Sequence, residues 1–148
     1  MQLYQFHPLG APFVGIIGPA LYVATTAVVL IVVLRNLRLT GLPIVAAGAA
    51  SNLAAITANG GYMPADPAAV AIAGLPPLDG PSNSVVLADP ALRPLTDVFA
   101  IPAGVPLANV FSIGDVLIAV GVIVAIVAAM RTMELPLADP GAEVSSIT

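Results

Sequence analysis

The sequence predicts an all-α integral membrane protein, with three transmembrane helices and a long external loop rich in proline and glycine between helices 2 and 3. Hydrophobic residues make up 59% of its 148 residues and charged residues only 8%, against roughly 25% charged residues in a soluble globular chain. Three apolar stretches are separated by polar or proline-rich segments. The length fits one domain, so we interpret residues 1–148 as a single membrane domain.

The first predicted span covers residues 10–34, which contain no charged residue. As a helix this stretch is about 37 Å long at ~1.5 Å per residue, which is enough to cross a hydrocarbon layer of about 30 Å with some tilt. Pro19 lies inside it and removes one helical hydrogen bond, which membrane helices tolerate when a neighbour covers the freed carbonyl. We expect this helix to be kinked or loosened at the proline.

The second predicted span covers residues 41–58, with Pro43 where a first helical turn accepts proline. It is rich in alanine and glycine and carries Asn52 near its middle, so its own preference for the membrane is modest. Small residues allow another helix to come close, and we expect packing to stabilise this span. The small residues expected at that contact are Gly48, Ala50, Ser51 and Ala54.

A helix stop follows at once, formed by Asn59, Gly60, Gly61 and Pro64. Asparagine and glycine tolerate the left-handed backbone that ends a helix, and proline prevents the helix from resuming. Binding of an anion or cofactor through these backbone amides is the alternative. We favour the helix stop, because a helix carboxyl terminus presents carbonyl oxygens, which repel anions.

Residues 59–112 form the predicted external loop, which contains the majority of the 15 prolines. A structureless stretch of this length is uncommon unless it is functional or disordered. Its apolar patches argue against disorder, because they need cover. We therefore interpret the loop as a compact cap on the membrane surface or against a partner, with one short helix near residues 67–73.

The third predicted span covers residues 113–130 and is preceded by Ser112. Ser112 and Asp115 have the spacing of a capping box, in which the serine side chain accepts from a free amide of the first turn and the acid accepts from the serine amide. Arg131 ends the span, and residues 131–148 are predicted to be a polar tail.

The arginines predict the orientation. Three spans place Arg35, Arg38 and Arg131 on one side of the bilayer, and an excess of basic residues marks the cytoplasmic side. The tail after Arg131 is then cytoplasmic, whereas the amino terminus and the cap are external.

Composition excludes several classes of function. The net charge is −4 with no basic patch, so nucleic acid is not an expected partner. The absence of cysteine and the single histidine, His7, exclude thiolate or histidine-rich metal sites within this chain. His7 as an axial ligand to a pigment or haem is a weaker alternative to a histidine without special function. The chain lacks the common catalytic motifs, and its uncharged helix centres argue against a proton pump or ion-coupled transporter acting alone.

Several polar residues have both a functional and a structural interpretation. Asp115 is the only carboxylate in an apolar span, which suggests a functional site, yet an acid at a helix start is also ordinary capping, which we favour. Asn52 is more readily a hydrogen bond between helices than a ligand contact. Oxygen ligands for Ca²⁺ are an alternative for the four loop aspartates, but they lack the alternating spacing of calcium loops, so we favour solvated turn residues. These four are Asp66, Asp79, Asp89 and Asp97.

Two stretches resemble the paired signatures of a bacterial membrane family of unknown function, DUF5317. They are residues 52–64, N-L-A-A-I-T-A-N-G-G-Y-M-P, and residues 107–121, L-A-N-V-F-S-I-G-D-V-L-I-A-V-G. Between them, Leu-Ala-Asp at 87–89 and T-D-V-F-A-I-P at 96–102 resemble that family's acidic loop and the strip after it, although Thr96 stands where the family has glycine. The resemblance covers residues 10–131 and implies a helical fold in the bacterial cytoplasmic (inner) membrane, but no activity.

Our first hypothesis is a non-catalytic accessory subunit that packs in a larger bacterial membrane complex, with a respiratory or photosynthetic electron-transfer complex as the first host to consider. Other membrane subunits and lipid are then its partners. We expect no cofactor bound by this chain itself, only contacts to lipid or to a partner's pigment or haem. The alternative is a small membrane enzyme or carrier with a site at the outer ends of helices 2 and 3. The structural or interaction candidates are Asn52, Asn59, Gly60, Gly61, Pro64, Asp97, Ser112 and Asp115.

Overall fold

The computed structural model describes residues 11–76 and 84–132, which are mostly helical. The helices are α1 (Ala11–Arg35), α2 (Leu42–Ala58), α3 (Pro67–Ala73) and α4 (Ile113–Thr132). A 3-10 turn spans Arg93–Leu95, and the short strands are β1 (Met63–Pro64), β2 (Ser84–Val85), β3 (Phe99–Ile101) and β4 (Asn109–Phe111). His7, Asp79 and the predicted tail from residue 133 onward lie outside the described residues.

The three stretches predicted as spans are helical, and the short helix expected near residues 67–73 is α3. Helix α1 is continuous through Pro19. Two helices are long and apolar enough to cross a membrane, over Ile17–Arg35 and Ile113–Arg131, whereas α2 is apolar but has only 17 residues. The expectation of a purely α-helical chain is wrong, because the cap also contains β-strands.

Helix α2 packs against both α1 and α4. It runs antiparallel to α1, since Val33 of α1 packs with Val45, and Tyr22 packs near Ile56 at the other end. It also runs antiparallel to α4, since Gly41 lies against Gly121 and Gly48 lies against Gly114. As expected from its small residues, α2 has a largely buried face.

Glycines bring the backbones of α2 and α4 into direct contact. A Cβ atom added to Gly48 would lie 2.5 Å from the carbonyl oxygen of Gly114, and one added to Gly121 would lie 2.7 Å from the backbone nitrogen of Val45. No side chain fits such gaps, so the two helices approach through small residues, as membrane helices often do. Gly48 was expected at this contact, whereas Ala50 was placed there wrongly, because it is exposed.

The helix ends are staggered. Ser112, the residue before α4, bonds to Asn52, so α4 begins level with Asn52 and not with the end of α2 at Ala58. Helix α2 therefore continues six residues, or about 9 Å at ~1.5 Å per residue, past the start of α4. There its Ala55 and Ile56 pack with Met63 of the cap.

The cap is built from α3 and two small sheets. Strands β1 and β2 are parallel, β3 and β4 are antiparallel, and an isolated bridge joins Ala65 to Asp97. The buried side chains of α3 pack with Val110 of β4 in a separate apolar cluster. The expectation of a compact cap with its own cover for apolar residues therefore agrees with the packing of the described part.

Candidate functional site

The start of α4 is a capping box. The Ser112 Oγ atom accepts a hydrogen bond from the Asp115 amide at 3.1 Å, and the Asp115 carboxylate accepts one from the Ser112 amide at 2.9 Å. Both amides belong to the group of donors that have no partner inside a helix. The arrangement is the one that the spacing of serine and acid indicates. Ser112 is fully inaccessible to solvent, whereas Asp115 is exposed.

Asn52 of α2 joins this box from the side. Its Nδ2 atom donates to Oδ1 of Asp115 at 2.7 Å, and its Oδ1 atom lies 2.8 Å from the Ser112 hydroxyl. The hydroxyl has one hydrogen and also lies 2.9 Å from Oδ2 of Asp115. That carboxylate oxygen already accepts a hydrogen bond from the Ser112 amide. We therefore assign the hydroxyl hydrogen to the bond with Oδ1 of Asn52. Asn52, Ser112 and Asp115, which we call the polar junction, therefore bond to one another.

Gly114 makes room for the polar junction. A Cβ atom added at this position would overlap the Asn52 side chain and would lie 2.8 Å from the Gly48 carbonyl oxygen. The amide of Asn52 therefore reaches Asp115 across a position that has to be glycine. The junction is both a hydrogen-bonded and a close-packed contact between α2 and α4.

Asp97 approaches the same end of the helices from the cap. Its backbone is fixed by two hydrogen bonds of 2.9 Å, from its amide to the Pro64 carbonyl and from the Asp66 amide to its own carbonyl. Its side chain is only 7% exposed, and among the described residues no hydrogen bond reaches its carboxylate. Burial, and then the negative charge of Asp115, raise the pKa of Asp97 to about 7. The carboxylate is thus poised to change its charge near neutral pH.

Asn59 fastens the cap to the end of α2. Its Nδ2 atom donates to the carbonyls of Ala55 and Ala91 at 2.8 and 2.9 Å, and its Oδ1 atom accepts from the Ala91 amide at 2.9 Å. The bond to Ala55 stays within the helix end, whereas the two bonds to Ala91 join this end to a loop that is 32 residues away in the sequence. Asn59 therefore attaches the cap to the end of α2 and is also part of the helix stop.

The glycines and the proline after Asn59 turn the chain into the cap. Gly60 and Gly61 have φ angles of 72° and 92°, in the left-handed region where glycine costs least. The Gly61 amide donates to the Ile56 carbonyl at 2.9 Å, and the glycine packs against Pro19 of α1. Pro64 is buried in β1. The amides of Asn59 and Gly61 and the carbonyl of Pro64 therefore form hydrogen bonds within the fold, which agrees with a helix stop.

Asp66 and Arg93, which the sequence did not single out as a pair, form an ion pair of 2.9 Å on the cap. Asp66 also caps α3, because its side chain accepts from the Ala68 amide. The Arg93 guanidinium, followed by that amide, holds the pKa of Asp66 below its usual value. The interpretation of the loop aspartates as solvated turn residues fits Asp89, which is exposed, but is wrong for Asp66 and for the buried Asp97.

A groove of about 570 Å³ lies beside this ion pair. Its apolar wall includes Ile72 of α3 and Phe99 of β3, which are 54% and 43% exposed. Sequence reasoning missed the groove, because α3 and β3 are far apart in the chain and meet only through long-range contacts, which include the bridge between Ala65 and Asp97 and the hydrogen bond from the Ala103 amide to the Ile72 carbonyl. Across the described residues, no group of three or more acidic or histidine side chains converges as a metal site would require.

These features define a class: a mostly helical protein in which two helices, α1 and α4, are suited to crossing a membrane. Helix α2 packs closely against α4 through glycine, and a small cap covers one end of the helices. The chain belongs to DUF5317, a family of unknown function whose model matches residues 3–127. A search of the curated proteins and a search of the solved structures each found no match.

Proposed function

We propose that this protein is a non-catalytic accessory subunit of a larger bacterial membrane complex. The observation that carries the proposal is that Asn52, Ser112 and Asp115 bond to one another and are not among the residues that line the groove on the cap. A substrate site needs polar groups that are free to turn toward a ligand, whereas here they hold two helices together. The polar junction is therefore a structural contact between α2 and the start of α4.

The proposed topology has three spans, α1, α2 and α4, with the cap on the outer side of the cytoplasmic membrane. It is supported by the antiparallel order of the helices, which brings Arg35, Arg38 and Arg131 toward the end opposite the polar junction. Basic residues favour the cytoplasmic side. Helix α2 is short for a span, and its packing between α1 and α4 supports its place in the membrane.

The groove on the cap is the proposed contact surface for another subunit. It combines exposed apolar side chains with one ion pair at its edge, and an apolar centre with a polar rim is typical of protein interfaces. A respiratory or photosynthetic electron-transfer complex is the first host to test.

The test is purification of the native protein in mild detergent, followed by mass spectrometry of the proteins that co-purify and by an absorption spectrum. We expect a stoichiometric set of partners, which Ile72→Glu in the groove should release. Val86→Glu is the matched control, because Val86 is an exposed cap residue that does not line the groove. A protein that purifies alone or only as a homo-oligomer contradicts the proposal.

Asp97 favours a second candidate, a small membrane enzyme or carrier with a site at the outer ends of α2 and α4. A buried carboxylate with a pKa of about 7 suits a group that takes up and releases a proton. In liposomes with a pH-sensitive dye inside, this candidate predicts proton movement that Asp97→Asn abolishes while the set of co-purifying proteins is unchanged. Equal proton movement in wild type, variant and empty liposomes contradicts it.

A further inference from the structure

The hairpin of β3 and β4 has an unusual surface. It precedes α4 directly, with only Ser112 between β4 and the helix, and the chain carries no charged residue from Val98 to Gly114. Phe99 and Phe111 stack at its base, with ring centroids 5.5 Å apart. An uncharged hairpin with phenylalanine side chains next to a candidate span is suited to the boundary between lipid headgroups and acyl chains, where phenylalanine and leucine side chains are buried.

The tip of the hairpin directs apolar side chains outward. Leu107 is 87% exposed, more than any other large hydrophobic residue in the described part of the chain, and Val105 is 48% exposed. Leu107 also has a φ of 66°, in a region that is unfavourable for a residue with a side chain. The fold therefore exposes a leucine at a position whose backbone conformation costs less free energy for glycine.

The stagger of the helices extends the apolar surface of α1 past the start of α4. Tyr22 of α1 packs with Ile56, four residues beyond the level of Asn52 and Ser112, and Ile17 lies five residues further along α1. At ~1.5 Å per residue, the uncharged surface of α1 reaches about 13 Å past the start of α4. Leu107 is five residues from Ser112 and so lies within about 18 Å of it. This upper limit is comparable to the roughly 13 Å over which α1 is still apolar, so a depth beside apolar α1 is within reach of the tip.

We propose that the tip of the β3–β4 hairpin, residues 102–108, is embedded in the interfacial layer of the lipid bilayer, with Leu107 as its anchoring side chain. The occupant of this surface is lipid, because the hairpin leads into α4 with only Ser112 between them and both of its strands lack charge. The proposal depends on the proposed function in one respect, namely that α1 and α4 cross a membrane.

The chain contains no tryptophan, so a single introduced tryptophan reports its own surroundings. Three variants, Leu107→Trp, Leu92→Trp and Ile123→Trp, are reconstituted in liposomes with and without lipids brominated on their acyl chains. Leu92 is the matched control, because it is also an exposed leucine with a positive φ, of 54°, but it lies next to Arg93. Ile123 is an exposed residue of α4 and reports whether that helix is in the membrane.

We expect brominated lipid to quench the emission of Leu107→Trp and Ile123→Trp, and to leave that of Leu92→Trp unchanged. The emission of Leu107→Trp should also be blue-shifted relative to that of Leu92→Trp. Quenching of Ile123→Trp alone overturns the lipid anchor while leaving the span intact, and points to a protein partner over the hairpin. Equal quenching at positions 107 and 92 overturns a specific role of the hairpin. No quenching at Ile123→Trp overturns the membrane span itself, and the anchor with it.

Discussion

Raising the pH should destabilise this protein through Asp97. An aspartate whose pKa is raised in the folded state retains its proton where the unfolded chain has lost it, so the folded state binds more protons between the two pKa values. Stability therefore falls as the pH rises through this window, and the loss is complete above the folded pKa. For Asp97 the window extends from its ordinary value of 3.8 to about 7.

The magnitude follows from the width of the window. One pKa unit corresponds to about 1.4 kcal/mol, so ionisation of Asp97 lowers the free energy of unfolding by at most about 4 kcal/mol. Most of this loss should occur between pH 5 and pH 8. Asp66 does not contribute in this range, because its pKa is lowered and its stabilisation is lost only under more acidic conditions.

The assay is unfolding in detergent micelles at pH 5 and pH 8, followed by circular dichroism. Wild-type protein should be less stable at pH 8, whereas Asp97→Asn, which has no charge to bury, should lack this pH dependence and be the more stable protein at pH 8. Asp89→Asn is the matched control, since Asp89 is an exposed acid of the same loop. Equal stability of the wild type at the two pH values, or the same pH slope in Asp97→Asn, would refute the reasoning.

Three further predictions concern the polar junction and the hairpin, and unfolding in detergent measures each of them. Gly114→Ala should lower the free energy of unfolding by about 1–3 kcal/mol through overlap with Asn52, and its effect should be partly relieved when combined with Asn52→Ala; strictly additive losses would contradict the overlap. Ser112→Ala should cost about 1 kcal/mol through loss of the cap, and an unchanged stability would count against the capping box. Leu107→Gly should keep or raise stability in detergent, because it relieves the positive φ, and a clear loss would show that Leu107 packs within the fold.

Much of the helical part of the fold could be predicted from the sequence, because its signals are local. Apolar stretches, the Ser112–Asp115 spacing and the residues after Ala58 each specify a helix or its end within a few residues. The short helix α3 has the same kind of signal, an aspartate cap followed by a proline. The bounds of these elements therefore differ from the predicted bounds by only one or two residues.

The contacts between distant segments could not be predicted. That Asn52 would meet the first turn of α4 depends on the stagger of the helices, which no local pattern specifies. The sheets of the cap join strands of two or three residues, too short to give a periodic signal. Burial of Asp97 follows from this pairing, so its difference from the exposed Asp89 was invisible in the sequence.

The residues that carry the resemblance to DUF5317 are the ones that hold the cap on the helices. Asn52 and Asn59 lie seven residues apart, which is two helical turns, and so share one side of α2. Asn52 bonds to the start of α4 and Asn59 bonds to Ala91 of the cap. The stretch 52–64 thus meets the stretch 107–121 and the loop between them. A buried polar group is costly to leave unpaired, so Asn52 supports the contact between α2 and α4 and Asn59 supports the attachment of the cap to α2.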